Sequence, residues 1–464
     1  MAISIKGIFG SGAIRIEGLK ATAFDYTTID IEYKVLDADL EKCKHFLHIN
    51  GETKEITSNV NNVGGKFKYK IENLKYNTNY NIQIEIREDE IFTISSGINQ
   101  STKRYLIYGV AVDETNSNPE SSVTYIEDAV GIAPASSRGY NGWADKFIFA
   151  KNRLVGLKNG AVTKEINPLK KTHYKDGSTV PIDVDVMSEI PKVYWKFDQT
   201  ERGYELRVSE GKFEGSNCYA HRVGSIEKDN IYVATYLGSV EGNKLRSKSG
   251  VAPTVNTTLT QFRNYAHNVG RGYEQFNWFT LILLQNLYLL AFKNRDSQRT
   301  LGMGVCNSSK TNTGGTNTKG MLYGSSSQSE QVCFLGIEDF YGNCWQWVDG
   351  MYCDSSYNIT VTPDNKNFND SGSGFKTVGR SSYLNGGYLT KVAHTNEGGF
   401  FPMAINGSDS TQYCDYGYVN SGYFGRFGGY WGNGSDVGAF CLLVYYSASN
   451  SYSSLGSRLV YLGE

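Results

Sequence analysis

The sequence predicts a mainly β protein with a small α+β part, and three observations carry that expectation. Glycine supplies 51 of the 464 residues and proline only 8, so turns between short strands rely on Gly rather than Pro. Tyrosine, at 33, outnumbers Phe and Trp together, and aromatic residues suit pleated, half-buried surfaces. Period-two alternation of apolar residues recurs along the chain, whereas three- and four-residue apolar spacing is confined to one stretch. A length of 464 residues suggests about two to four domains. With 40% hydrophobic and 20% charged residues, wholesale disorder is excluded. A net charge of −1 removes the electrostatic basis for non-specific nucleic-acid binding.

Residues 1–104 read as a β-sandwich. In Thr28–Val35, Ile29, Ile31, Tyr33 and Val35 fall on one face and Asp30, Glu32 and Lys34 on the other. A second alternation, Tyr80 to Ile86, follows Leu74-Lys75-Tyr76-Asn77-Thr78. That leucine, turn and tyrosine-led strand resembles the corner of fibronectin type III sandwiches, where a Tyr hydroxyl bonds back to nearby backbone. The resemblance gives Tyr80 that role and implies an attachment or spacer module. It departs from the pattern in having no Trp before Trp143.

Residues 105–172 are expected to form a β-rich connecting region, with strands at Tyr108–Asp113 and Val123–Tyr125 and a strand and tight turn at Arg153–Gly160. The acidic group Asp183, Asp185 and Glu189 alternates with Ile182, Val184, Val186 and Ile190, so a strand accounts for it without a metal. Two helices follow. Leu259, Phe262, Tyr265, Ala266 and Val269 recur at helical steps, predicting an amphipathic helix over about 258–269. Asn277 is a suitable N-cap for a second, running from Trp278 to Phe292 and apolar almost all round, hence buried. Lys293 and Arg295 suit its C-terminal dipole. This apolar run is too short to span a bilayer, so no membrane insertion is expected. Met1 to Ile8 lacks a basic n-region and an apolar h-region, which predicts no signal peptide and synthesis in a reducing cytosol.

Catalytic and metal chemistry find little purchase. The eight cysteines include no CxxC pair, dilute for a disulfide scaffold and wrong for a zinc module. Glu338 and Asp339 are adjacent, so in a strand they point oppositely and cannot face one another. His45 and His48 fall on opposite strand faces, and His173, His221, His267 and His394 have no nucleophile motif beside them. No enzyme activity, no cofactor and no metal are therefore expected.

Two tryptophans lie two apart in Gly342-Asn343-Cys344-Trp345-Gln346-Trp347, followed later by Gly428-Gly429-Tyr430-Trp431 and by Gly456-Ser457-Arg458-Leu459. This ordered set resembles the C-type-lectin-like fold of formylglycine-generating enzymes, which also occurs in phage receptor-binding tail proteins of the major-tropism-determinant type. The resemblance spans roughly 105–464, with the lectin-like domain itself at 173–464. The oxidase branch requires a copper-binding cysteine pair shortly after its Gly-Gly motif. Here no Cys follows Gly428-Gly429 until Cys441, leaving no thiolate pair to hold Cu(I), and Phe440 and Leu442 around Cys441 predict a buried, inert thiol.

The last feature is compositional. Between Tyr413 and Ser454 there are eight Tyr, eight Gly, seven Ser and no Lys, the make-up of antibody paratopes, in which Tyr gives contact area at low entropy cost. Trp345, Trp347, Gly428, Gly429 and Arg458 read as framework. In the tropism-determinant type, positions between the Gly-Gly-x-Trp and Gly-x-Arg motifs form the exposed binding face. Carried over, this implies Tyr430, Trp431, Asn433, Asp436, Phe440, Leu443, Tyr445, Tyr446 and Tyr452 as ligand-binding residues. The resemblance further implies a bacteriophage or prophage tail receptor-binding protein. It would form a homotrimer at the virion's tail tip or fibre, assembled in the bacterial host cytoplasm, and bind a glycan or protein of the bacterial surface beside other tail or baseplate proteins. The alternatives are a baseplate protein without receptor contact and, more remotely, an oxidase.

Overall fold

The computed structural model describes residues 3–4, 14–24, 27–75 and 77–463. It is mainly β, with four helices among the described residues. The chain divides into two compact units, residues 1–106 and 107–464.

The first unit consists of two antiparallel sheets. One runs in the order Arg15–Ala23, Ile29–Leu36, Lys66–Ile71, Asn61–Val63; the other contains Ile91–Ile94, Asn79–Glu88, Lys44–Ile49 and Glu52–Glu55, with Ile98–Ser101 also against Asn79–Glu88. Alternation decides what they bury. Ile29, Ile31, Tyr33 and Val35 from one sheet and Leu47, Ile82, Ile84 and Ile86 from the other form a single core. Tyr80 is buried, and its hydroxyl accepts from the Lys75 N–H at 2.7 Å, the backbone link expected of it. Tyr76 of that turn lies outside the described residues, as do the opening residues other than Ile3 and Ser4. His45 and His48 do fall on opposite faces: His45 is buried against the Tyr33 hydroxyl at 2.7 Å, and His48 is held by Glu85 at 2.6 Å.

The second unit begins earlier than a lectin-like domain at 173 would. Ile107–Asp113 is an inner strand of a sheet ordered Val123–Glu127, Ile107–Asp113, Gly203–Ser209, Tyr194–Gln199. Arg153–Lys158 and Ala161–Glu165 open a six-stranded sheet that continues through Asp185–Pro191, Asn230–Ala234, Leu459–Tyr461 and Tyr273–Gln275. The expected connecting region, 105–172, thus belongs from Ile107 onward to this unit, because its strands Ile107–Asp113 and Arg153–Lys158 pair with Gly203–Ser209 and Asp185–Pro191 beyond it. The acidic group sits at that sheet: Asp185 pairs with Arg246 at 3.0 Å, Glu189 with Arg153 at 3.0 Å, and Asp183 with Lys158 at 2.5 Å. Each carboxylate has its own cation.

Four helices replace the two expected, because α1 (Phe147–Lys151) and α4 (Ser297–Thr300) are too short to show a periodicity. The longer pair falls where expected. α2 (Leu259–His267) starts from a capping box in which Thr258 and Gln261 satisfy each other's backbone N–H. α3 (Trp278–Phe292) is capped by Asn277, whose side chain accepts from the Thr280 N–H at 3.0 Å, and all fifteen of its residues are buried. It ends where Lys293 turns left-handed at φ 52°. Arg295 does not sit against that terminus in water: it is buried and donates to Ser122 Oγ and the Asn116 carbonyl. No helix among the described residues is long and apolar enough to cross a membrane.

Glu338 and Asp339 correct the expectation that they point apart. Glu338 ends a two-residue strand, and Asp339 leaves it in the left-handed region at φ 49°, so both carboxylates turn to the same amide, Gln331 Nε2, at 3.1 and 2.7 Å. Both are fully buried. Burial, then the neighbouring Glu338 charge, pushes the Asp339 carboxyl up to about 8. A raised folded-state pKa means that the folded protein holds this proton more tightly than the unfolded chain. The stabilisation is full below the ordinary carboxyl range and is lost as pH rises towards 8. Asp339→Asn is expected to flatten the fall in unfolding free energy between pH 4 and pH 8, measured by denaturant titration at several pH values.

Candidate binding cleft

The site grows from the largest sheet, ordered Lys376–Arg380, Asn358–Val361, Trp345–Cys353, Tyr423–Phe427, Leu442–Tyr446, Tyr416–Val419, Leu384–Val392, Pro402–Ile405, with Leu455–Gly456 parallel beside Trp345. Its central strands bring Trp347, Arg426 and Leu443 into register across three neighbours. Trp345 and Trp347 are both buried in one apolar cluster, as their spacing of two requires.

Two loops complete the site. The segment Tyr430–Cys441 is pinned from beneath by α3 and α4. Gln285 Nε2 donates to the Ala439 carbonyl at 2.9 Å, Gln298 Nε2 to the Ser435 carbonyl at 2.7 Å, and Ser297 Oγ accepts from the Ala439 N–H at 2.9 Å. Gly429 enters this loop at φ 82°, where a Cβ would strike Val437, so only glycine fits. The segment Ser447–Ser454 is tied to the start of α2: the Ala448 carbonyl accepts from the Leu259 N–H at 3.2 Å and the Tyr452 carbonyl from the Asn256 N–H at 2.9 Å. Both loops therefore sit on rigid supports.

Between them lies a cleft of about 340 Å³. Seven of the nine predicted residues line it: Tyr430, Asn433, Asp436, Leu443, Tyr445, Tyr446 and Tyr452. Leu443 lies in the floor, nearly buried, while Tyr452 is 44% exposed at the rim. The rings run on without a break. Tyr383, Tyr418, Tyr445, Tyr446 and Tyr452 succeed one another at centroid distances of 6.2, 4.6, 4.6 and 4.8 Å, the last pair stacked. Asp436 accepts from the Tyr388 hydroxyl at 3.1 Å, and burial raises its carboxyl.

Two predicted residues are elsewhere. Phe440 is fully buried, packed on Tyr288, Phe400 and Tyr413 at 5.7, 5.0 and 5.2 Å, with its N–H bonded to Asp415 at 2.7 Å. It belongs to the core and reaches no ligand, because the loop turns inward over α3 there. Trp431 is half-buried and packs on Tyr430 at 5.1 Å, outside the cleft. Conversely, Trp345, Tyr416, Arg426 and Ser454 line the cleft without having been predicted. Trp345, expected as framework, is both framework and cleft lining. Arg426 carried a legible signal, as the single cation between Tyr413 and Ser454. Its guanidinium lies over three rings, 4.4 Å from Trp345, 4.7 Å from Tyr445 and 4.0 Å from Tyr446.

Cysteines offer no chemistry to this cleft. All eight are free and buried, and burial holds the Cys441 thiol well above its ordinary value. Among the described residues, no three or more His, Cys, Asp or Glu side chains gather as metal ligands do.

No protein-family profile and no curated protein matches the chain. Solved structures similar to it include variants of the Major Tropism Determinant. The U1 variant is 15% identical, with a TM-score of 0.25 over 67% of this chain and 71% of that one. The M1 variant is 11% identical, with a TM-score of 0.26 over 96% and 83%. The P3c variant is 13% identical, with a TM-score of 0.24 over the same shares.

Proposed function

We propose that this chain is a phage or phage-derived tail receptor-binding protein whose cleft between residues 416 and 454 recognises a ligand on the bacterial surface. The observation that carries the proposal is the cleft itself: a continuous run of tyrosines, half-buried to exposed, held on the strands Tyr416–Val419 and Leu442–Tyr446 and on the anchored loop that follows, with Ser and Asn among them. Rigid aromatic rings with adaptable hydroxyls are what a recognition surface needs. In this reading the second unit is a C-type-lectin-like head and the first a fibronectin type III-like attachment module. The protein acts at the tail tip or fibre beside other tail proteins, as a homotrimer in which modest single-site affinities gain through avidity. The role is binding, without catalysis, cofactor or metal.

Binding of the purified protein to intact host bacteria tests this. Tyr452→Ala removes an exposed rim ring with little bearing on the fold, and is expected to lower cell binding about tenfold with the melting temperature unchanged. Undiminished binding would put the receptor contact elsewhere.

A further inference from the structure

Four arginines are buried among the described residues, and two of them are fully engaged by partners. Arg263 pairs with Asp349 at 2.7 Å and with Asp370 at 2.6 Å. Arg295 donates to Ser122 and to the Asn116 carbonyl and leaves Nη1 without a partner, but it is wholly buried and lines no part of the cleft. Arg458 makes five hydrogen bonds. Arg426, only 6% exposed, differs from all three in lining the cleft. Its one hydrogen bond goes to the Tyr445 hydroxyl, its Nε has no partner, and among the described residues no carboxylate lies within 4.0 Å of it. Aromatic faces offset part of the cost of burying a cation, but they supply neither a counter-charge nor acceptors for the guanidinium fork.

The open side of that guanidinium is the cleft. Resting on the receptor-binding reading above, we propose that the cleft takes an acidic saccharide, its carboxylate or phosphate group seated on Arg426 and its ring laid against the tyrosines. A planar guanidinium matches either oxyanion with paired N–H donors. The flat Tyr446–Tyr452 stack, 4.8 Å between centroids, suits the apolar face of a sugar ring, and the Tyr, Ser and Asn groups of the lining suit its hydroxyls. A volume of about 340 Å³ sits at the small end of ligand pockets, room for one or two sugar units. Asp436 is the single carboxylate in the lining; it is engaged by Tyr388 and raised by burial, which weakens its opposition to an incoming anion.

The test is titration of the full-length protein, followed by calorimetry, with oligogalacturonate (carboxylate), its methyl ester (neutral), a phosphomannan oligosaccharide (phosphate) and a poly-glutamate peptide. One of the two acidic saccharides is expected to bind at least about tenfold more tightly than the neutral ester, and which one identifies the source of the oxyanion. In Arg426→Gln that preference is expected to fall to less than about twofold, and Arg426→Lys, which keeps the charge, is expected to retain part of it. Equal binding of the ester, or no binding of either acidic saccharide, would overturn the proposal even if Tyr452→Ala still weakens cell binding, in which case the receptor-binding reading survives alone. Poly-glutamate binding as tightly as the saccharides would overturn the saccharide assignment. Loss of the receptor-binding reading shows separately, as cell binding indifferent to Tyr452→Ala.

Discussion

Arg458→Ala is expected to destabilise the second unit by about 3–5 kcal/mol, the usual cost of stripping one partner from a buried charged network. The side chain is 1% exposed and donates five times: to Gln346 Oε1 at 2.8 Å, to the Ala234 and Thr235 carbonyls at 2.8 and 3.1 Å, and to the Glu338 and Asp339 carbonyls at 2.7 and 2.9 Å. Its own carbonyl accepts from the Phe276 N–H at 2.8 Å. One residue thus ties the six-stranded sheet to the turn at 338–339 and to the first residues of the cleft-bearing strand. Alanine leaves four buried carbonyls short of a donor. Lysine offers three donors from one point and cannot span the same acceptors, so Arg458→Lys is expected to lose most of the same stability. All six tryptophans lie between Trp143 and Trp431, within the second unit, so the fluorescence change on denaturant unfolding reports that unit alone. The midpoint should move well below that of the natural protein. An unmoved midpoint would mean that the network contributes nothing.

Arg458 was legible as framework from its place in a closing Gly-x-Arg-Leu pattern, but its acceptors were not. They come from three segments up to 224 residues away, and no local pattern announces a carbonyl that waits for a guanidinium. The helices were legible because their signals are local: Asn277 caps and the Phe262–Ala266 spacing act within a turn or two. Strand faces such as Ile29–Val35 were legible for the same reason. What failed was inference that assumed one conformation throughout a run. Adjacent Glu338 and Asp339 read as strand neighbours, yet a single left-handed residue turns them to a shared partner. Phe440 was carried over with its whole segment as exposed, although Ala439, Cys441 and Leu442 around it already spell a buried run. Arg426 sits in Gly425-Arg426-Phe427, which reads as ordinary strand; only its isolation from other cations marks it.

The contrast between Phe440 and the neighbouring tyrosines yields the sharpest functional prediction. Tyr445→Ala with Tyr446→Ala is expected to cut binding to host bacteria by about 30- to 1000-fold per site, the 2–4 kcal/mol typical of central aromatic anchors, and by more where several sites engage at once. Both rings are half-buried at the cleft and meet edge to face, 4.6 Å between centroids, and their loss leaves the strand pairing of Leu442–Tyr446 with Tyr423–Phe427 intact. Stability should fall by roughly 1–2 kcal/mol, because Arg426 loses two of its three aromatic neighbours. Phe440→Ala should do the reverse. It opens a cavity among Tyr288, Phe400 and Tyr413 and should cost about 3–5 kcal/mol of stability, while the molecules that remain folded bind cells as before. Measuring adsorption and unfolding on the same preparations separates the two. If both variants lose binding only in proportion to lost folded protein, the tyrosines are packing residues and the receptor face lies elsewhere. If the double variant stays folded and no longer adsorbs, the cleft is that face.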